Sequence, residues 1–268
     1  MGFRRRPGIV AYNADMEPVM TVQTGEVWAA MEFGHGAIWA SEARAGGNAT
    51  TLLKVDAATA AVERFPLPEP GIPPESSIGV TDDAVWVIIA GATDGQRWKV
   101  LGLDPESGAI TYSIDAGQDA VAAARGGFGS VWVTRPIGGV DRYDPASGEL
   151  QAHIPLSRSS TFLTIGPDAV WIMNQLGEVA RVDPRTDAVI ATIAASPSRV
   201  QGGDIVATPT TVWMQANAYL GIKIDPASNS VTQRLLPSEG SGGIAVTADG
   251  AVWITAHDEQ KLYRVPPD

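Results

Sequence analysis

The sequence predicts an all-β chain, a six-bladed β-propeller of four-stranded blades whose last blade is closed by an N-terminal strand. Three observations predict it. A β-branched residue followed by tryptophan recurs as Ile38-Trp39, Val85-Trp86, Val131-Trp132, Val170-Trp171, Val212-Trp213 and Val252-Trp253, at spacings of 47, 46, 39, 42 and 40 residues. A period of this length with strand-like content marks a propeller blade rather than a helical repeat. An Asp-Pro turn recurs between the third and fourth strands of the repeat. The sixth repeat runs out after its third strand, while the N-terminus carries a strand with no blade of its own.

The fourth repeat shows the elements in order. Phe162 to Ile165 reads as an apolar first strand, and Gly166-Pro167-Asp168 as a turn. Ala169 to Met173 is the tryptophan strand, Glu178 to Asp183 the third, and Ala188 to Ala194 an alternating outer strand. The second strands are almost wholly apolar, as in Ala84 to Ala90, which suits burial on both faces between neighbouring blades. The turn signature is Asp104-Pro105-Glu106-Ser107-Gly108, with copies beginning at Asp144, Asp183 and Asp225 and a looser one at Asp56. Asp accepts local amide hydrogens, Pro presets φ, and Gly, Asn or Asp takes the left-handed position. The turn role accounts for these aspartates without a metal.

After Trp253 only Lys261 to Val265 follows as a strand, and Pro18 to Thr24 supplies the fourth. Residues 1–16 read as a flexible tail and 17–268 as a single propeller domain. Arg4-Arg5-Arg6 is not followed by an apolar segment, so no signal peptide is read in this chain.

Composition narrows the function. The net charge of −11 repels nucleic-acid phosphates and anionic lipid, so neither nucleic acid nor membrane is expected as a partner. The chain has no cysteine, which removes disulfides, thiolate metal sites and thiol nucleophiles. No apolar run reaches the roughly 18 residues that span a bilayer. There is no phosphate loop, no nucleophile elbow and no His-Glu-x-x-His. Neither nucleotide nor haem is expected. The reading is a soluble monomer of open localisation, with a small molecule or a protein as partner.

In a propeller, the loops before first strands and those between second and third strands share one face at the central channel, where ligand sites gather. On that face His257 is the one histidine and the acid/base candidate, with Glu42 as its carboxylate. His35 and His153 fall elsewhere and read as structural. Trp28 and Trp98 lie outside the repeat, in loops where an aromatic ring can stack on a ligand. Arg135, Asn174, Gln215 and Tyr219 complete the predicted substrate-binding set, and Arg97 and Arg158 are further cations near it. The diglycines at 202–203 and 242–243 open first strands and permit close packing.

The phrasing from Gly243-Ile244 through Asp249-Gly250 to Trp253 resembles that of the virginiamycin B lyase (streptogramin lyase) family of six-bladed propellers, and the likeness extends over residues 18–268. It is shared with many bacterial propellers. The resemblance implies a magnesium-assisted elimination that opens a cyclic depsipeptide, using histidine and glutamate at the channel mouth. The family's catalytic histidines precede the blade tryptophan by ten or eleven residues; here those positions hold no histidine. The family's glutamate three residues after the tryptophan is present as Glu42. A fainter likeness links Glu26-Val27-Trp28 to the metal-binding segment of propeller gluconolactonases. The expectation is therefore a small-molecule site at the channel mouth, in a divergent lyase or lactonase-like hydrolase with a divalent cation, magnesium or calcium. The alternative is a non-catalytic propeller that serves as a binding or interaction module.

Overall fold

The computed structural model describes residues 8–43, 49–71, 78–89, 97–156, 159–200, 202–238 and 240–267. All its regular structure is β. Six consecutive antiparallel sheets form the blades of a six-bladed β-propeller. Blade 1 comprises Glu26–Gly34, Ala37–Ala43, Ala49–Asp56 and Val62–Gly71. Blade 2 comprises Ile78–Val80, Val85–Ile89, Trp98–Leu103 and Ile110–Gly117. Blade 3 comprises Ala124–Gly127, Ser130–Arg135, Gly139–Tyr143 and Leu150–Pro155. Blade 4 comprises Ser160–Ile165, Val170–Asn174, Glu178–Asp183 and Ala188–Ala194. Blade 5 comprises Asp204–Ala207, Val212–Ala216, Tyr219–Asp225 and Ser230–Pro237. Blade 6 comprises Ile244–Val246, Val252–Ala256 and Lys261–Val265. No helix is long and apolar enough to cross a membrane among the described residues.

The chain divides into two compact units, Met1–Gly126 with Pro145–Glu149, and Gly127–Asp144 with Leu150–Asp268. In the first unit, blades 1 and 2 share a core of Trp39, Leu52, Ile78, Val85, Val87, Ile89 and Leu101. In the second, blades 4 and 5 share Phe162, Trp171, Met173, Val212, Met214 and Ile222, and blades 5 and 6 share Trp213, Leu220, Ile244 and Ile254.

The N-terminus departs from expectation. Pro18–Gln23 does not supply a fourth strand to blade 6, whose sheet has three strands among the described residues. It pairs with Gly8–Tyr12, part of the expected tail, in the register Ile9 with Val22 and Ala11 with Met20. The reason is local. The side chain of Asn13 accepts from the amides of Asp15 and Glu17, closing a tight turn. Such a short loop costs little closure entropy. Ile9 and Val22 are both 5% exposed, and they pack on Ala40, Leu53 and Val55, the face of blade 1 opposite Trp39.

Each blade tryptophan is the rivet of its sheet. Trp39, Trp86, Trp132, Trp171 and Trp213 are buried. The indole N–H groups of Trp39, Trp86 and Trp132 find local acceptors in Gly34 O, Thr81 Oγ1 and Gly127 O, as buried indoles require. A cation from the neighbouring third strand lies over five of the six rings: Lys54, Arg142, Arg181, Lys223 and Arg264, at 4.9–5.8 Å from the centroid.

The Asp turns form as the sequence predicts. Asp104 Oδ1 accepts from the amide and hydroxyl of Ser107, and Asp225 accepts from Ala227 N and Ser228 Oγ. The left-handed positions are Gly108, Gly148, Asp187 and Asn229, with Ala60 in the looser copy. These hydrogen bonds hold the carboxyls of Asp56, Asp104, Asp183 and Asp225 below their usual range. A folded pKa below the unfolded value gives stability that is complete above about pH 4 and is lost as the pH falls through the lowered folded value. The thermal midpoint is therefore expected to fall as the pH drops below about 4. Asp104→Asn combined with Asp225→Asn should flatten that fall. An identical acid profile in wild type and variant, measured by circular dichroism, would contradict it.

Candidate functional site

Glu42 and His257, the expected acid–base pair, each meet a partner of their own. Glu42, in the first unit, accepts from Arg64 Nε at 3.0 Å and Nη2 at 3.2 Å, and from the amide of Gly25. The Arg64 hydrogen bond holds its carboxyl below the usual range, against the opposing effect of burial. Such a carboxylate is a weak base. His257, in the second unit, is a turn residue whose side chain is 67% exposed and meets Asp258 Oδ1 at 3.0 Å. Among the described residues no three His, Asp or Glu side chains converge to hold a metal ion. Of the residues that the resemblance implies for such a site, Glu42 is taken up by Arg64, and the positions ten and eleven ahead of the blade tryptophans hold no histidine.

The predicted substrate-binding residues have different local settings. Trp28 and Trp98 are strand residues rather than loop residues. Trp28 pairs with Ser41 in blade 1, and Trp98, half-buried, pairs with Gly117. Tyr219 begins the third strand of blade 5 and carries the Arg234 guanidinium over its ring. Arg97 pairs with Asp115 on the surface, and Arg158 lies outside the described residues.

Arg135 belongs to a different arrangement. Its Nε donates to Asp141 Oδ2 at 2.7 Å and its Nη2 to the Tyr143 hydroxyl at 2.8 Å. Tyr143 in turn donates to Asp141 Oδ2, and His153 Nδ1 meets Asp141 Oδ1 at 2.6 Å. Arg135 and Asp141 are the two charged side chains buried among the described residues. Burial pushes the Tyr143 phenol up. The register explains the meeting. Asp141 lies opposite His153, and Arg135 opposite Gly139, so alternation along adjacent strands puts all three on one face. His153, read from sequence as merely structural, has the outer half of its ring exposed and the inner nitrogen held by a buried carboxylate. A charged residue at an inward strand position was the available signal.

Asn174 lines a cavity of about 260 Å³ on blade 4, wholly within the second unit. Pro155, Leu156, Ile172, Ala180 and Val189 supply apolar walls, and Ser160, Asn174, Glu178 and Thr192 supply polar groups. Asn174 and Ser160 are cross-strand partners at the ends of their strands. Asn174 Oδ1 accepts from the amides of Leu176 and Glu178, and its Nδ2 donates to Glu178 Oε2 at 2.8 Å. The turn is thus closed by the same side chain that orients the Glu178 carboxylate. Ser160 is fully buried, and its hydroxyl has no hydrogen-bond partner among the described residues.

Gln215, also fully buried, leaves both amide atoms without a partner in the same sense. It sits across from Asp204, with the backbone of Gly203 close against it. At Gly203, φ is +139°, and a Cβ would come within 2.3 Å of the Gln215 carbonyl, so this glycine is there for the close approach that the diglycine predicts.

No protein-family model matches the chain. No curated protein matches it either.

Proposed function

We propose that this propeller is a non-catalytic binding module whose ligand is a small neutral or cationic polar molecule, held in the cavity bounded by Ser160, Asn174, Glu178 and Thr192. The observation that carries this reading is the buried hydroxyl of Ser160, a cavity-lining residue, which has no partner among the described residues. Leaving a buried hydroxyl unpaired costs about 1–3 kcal/mol, and a ligand polar group recovers it. Among the described residues of the lining, Glu178 is the only charged one, in a chain of net charge −11. Anions are therefore disfavoured, and amines and polyols favoured. The volume of about 260 Å³ lies below the roughly 300–1,000 Å³ of drug-sized sites, so the ligand is small.

The lyase or lactonase-like reading has less support. It relied on Glu42 and His257; Arg64 occupies the first, and the second stands in solvent beside Asp258. The likeness to virginiamycin B lyases then contributes the blade pattern and a glutamate already engaged elsewhere.

The test is ligand-observed NMR of short polyols and amines against wild type, Ser160→Ala and the cavity-filling Ala180→Leu. Binding should be several-fold weaker in Ser160→Ala and absent in Ala180→Leu. Ser160→Ala should also leave thermal stability unchanged or slightly raised, because it removes an unpaired buried group. A Ser160→Ala variant that loses stability would show that the hydroxyl is already satisfied, and the reading would fall.

A further inference from the structure

Two turns at the rim of the Ser160 cavity carry aliphatic side chains into solvent. Pro136-Ile137-Gly138 joins the second and third strands of blade 3, and Gln175-Leu176-Gly177 does the same in blade 4. Ile137 is 88% exposed, the highest value for a large apolar residue among the described residues, and Leu176 is 43% exposed. A lone exposed aliphatic side chain needs no explanation. A pair at equivalent places on consecutive blades, beside a cavity, does.

The backbone fixes the two turns to each other and to the cavity, all within the second unit. Ser159 N donates to Pro136 O at 2.8 Å, and Ser159 O accepts from Gln175 N at 3.0 Å, so the residue next to Ser160 bridges the two turns. Leu156, in the cavity wall, donates its amide to Gly138 O at 3.4 Å. Asn174 and Glu178, also in the wall, flank the turn that carries Leu176, and Asn174 Oδ1 closes it. Behind that turn, Gln175 O accepts from Val200 N, and Gly177 O from the amides of Ala195 and Ser196. A ledge held in this way pays little ordering cost when a ligand lies on it.

We infer that the ligand of this cavity is a primary aliphatic amine, its ammonium group against Glu178 and Ser160 and its chain laid on Ile137 and Leu176. The inference rests on the binding-module reading and narrows it, because a polyol satisfies the cavity but leaves the ledge in water. Charge argues for the ammonium. Among the described residues of the lining Glu178 is the one charged group. An ionised carboxylate that accepts from Asn174 Nδ2 has lone pairs for further donors. Ser160 Oγ, buried without a partner among the described residues, accepts a second ammonium hydrogen. The apolar walls at Leu156, Ile172 and Val189 take the first carbons of the chain, and the ledge takes the rest.

The probes are the straight-chain amines from ethylamine to hexylamine, titrated into the whole chain and followed by two-dimensional amide NMR. Affinity should rise about two- to fourfold per added methylene, the scale of taking one such group out of water. Saturable shifts should spread to 136–138 and 175–177 as the chain lengthens. Ile137→Ser combined with Leu176→Ser should flatten the rise, while lowering the thermal midpoint by no more than about 2 °C, because both side chains are exposed. Glu178→Gln should weaken every amine at least about tenfold, the scale of one lost charge-assisted hydrogen bond, and keep the rise with chain length. Ethylamine binding without the rise, or a rise that survives the double serine variant, would overturn the inference and leave the cavity reading standing. Absence of saturable shifts with every amine would overturn it too; if the polyols also fail, the cavity reading falls with it.

Discussion

Asp141→Ala is expected to destabilise the protein by about 3–5 kcal/mol. The substitution strands the Arg135 guanidinium, whose side chain is 9% exposed, without its carboxylate. It also removes the acceptor for the Tyr143 hydroxyl and the partner of His153. The desolvation of a buried charge is the dominant cost, larger than the lost hydrogen bonds themselves. The paired replacement Arg135→Met with Asp141→Leu therefore should recover most of the loss, because neither charge is then buried. Urea denaturation of the two variants and wild type decides it. A single variant as stable as wild type would mean that water reaches the pair.

Ile9→Ala is the second large effect, about 2–5 kcal/mol. Ile9 fills the face of blade 1 beside Val22, Leu53 and Val55. For a chain of this size, each kcal/mol lowers the midpoint by about 2–4 °C. Deletion of residues 1–24 is less informative, because strand closure of the last blade and a packed hairpin both predict a loss. Ile9→Ala separates them. Closure by Pro18–Gln23 alone gives Gly8–Tyr12 no role and predicts no change; the hairpin predicts a clear drop in a thermal melt.

The blades were legible because their signals are local and repeated. A tryptophan preceded by a β-branched residue, and an aspartate four residues before a left-handed position, each enforce one geometry wherever they occur. His35 and Phe128, aligned by the repeat, both adopt left-handed φ, +53° and +55°. The N-terminal hairpin was missed because its first strand, Gly8–Tyr12, is short and lies among charged and glycine residues. Its pairing depends on the Asn13 turn and on an apolar face in the sheet of blade 1.

The site was less legible, for a different reason. Glu42 looked available because Arg64 lies 22 residues further on, in another strand of the same sheet. Asn174 and Gln215 lie within their second strands rather than in the loops that follow. Whether their polar atoms are satisfied depends on neighbours that periodicity does not reveal. The same holds for Ser160, which reads as an ordinary strand-opening serine. Asp141 and His153 meet only through the register of two strands joined by an Asp-Pro turn.

The most direct test of the binding-module account is backbone chemical-shift mapping with the tightest polyol or amine found by screening. The account predicts saturable perturbations centred on 155–156, 160, 172–180 and 189–192, and their loss in Ala180→Leu. Perturbations that gather instead around His153 or His257, or that persist in Ala180→Leu, would contradict it.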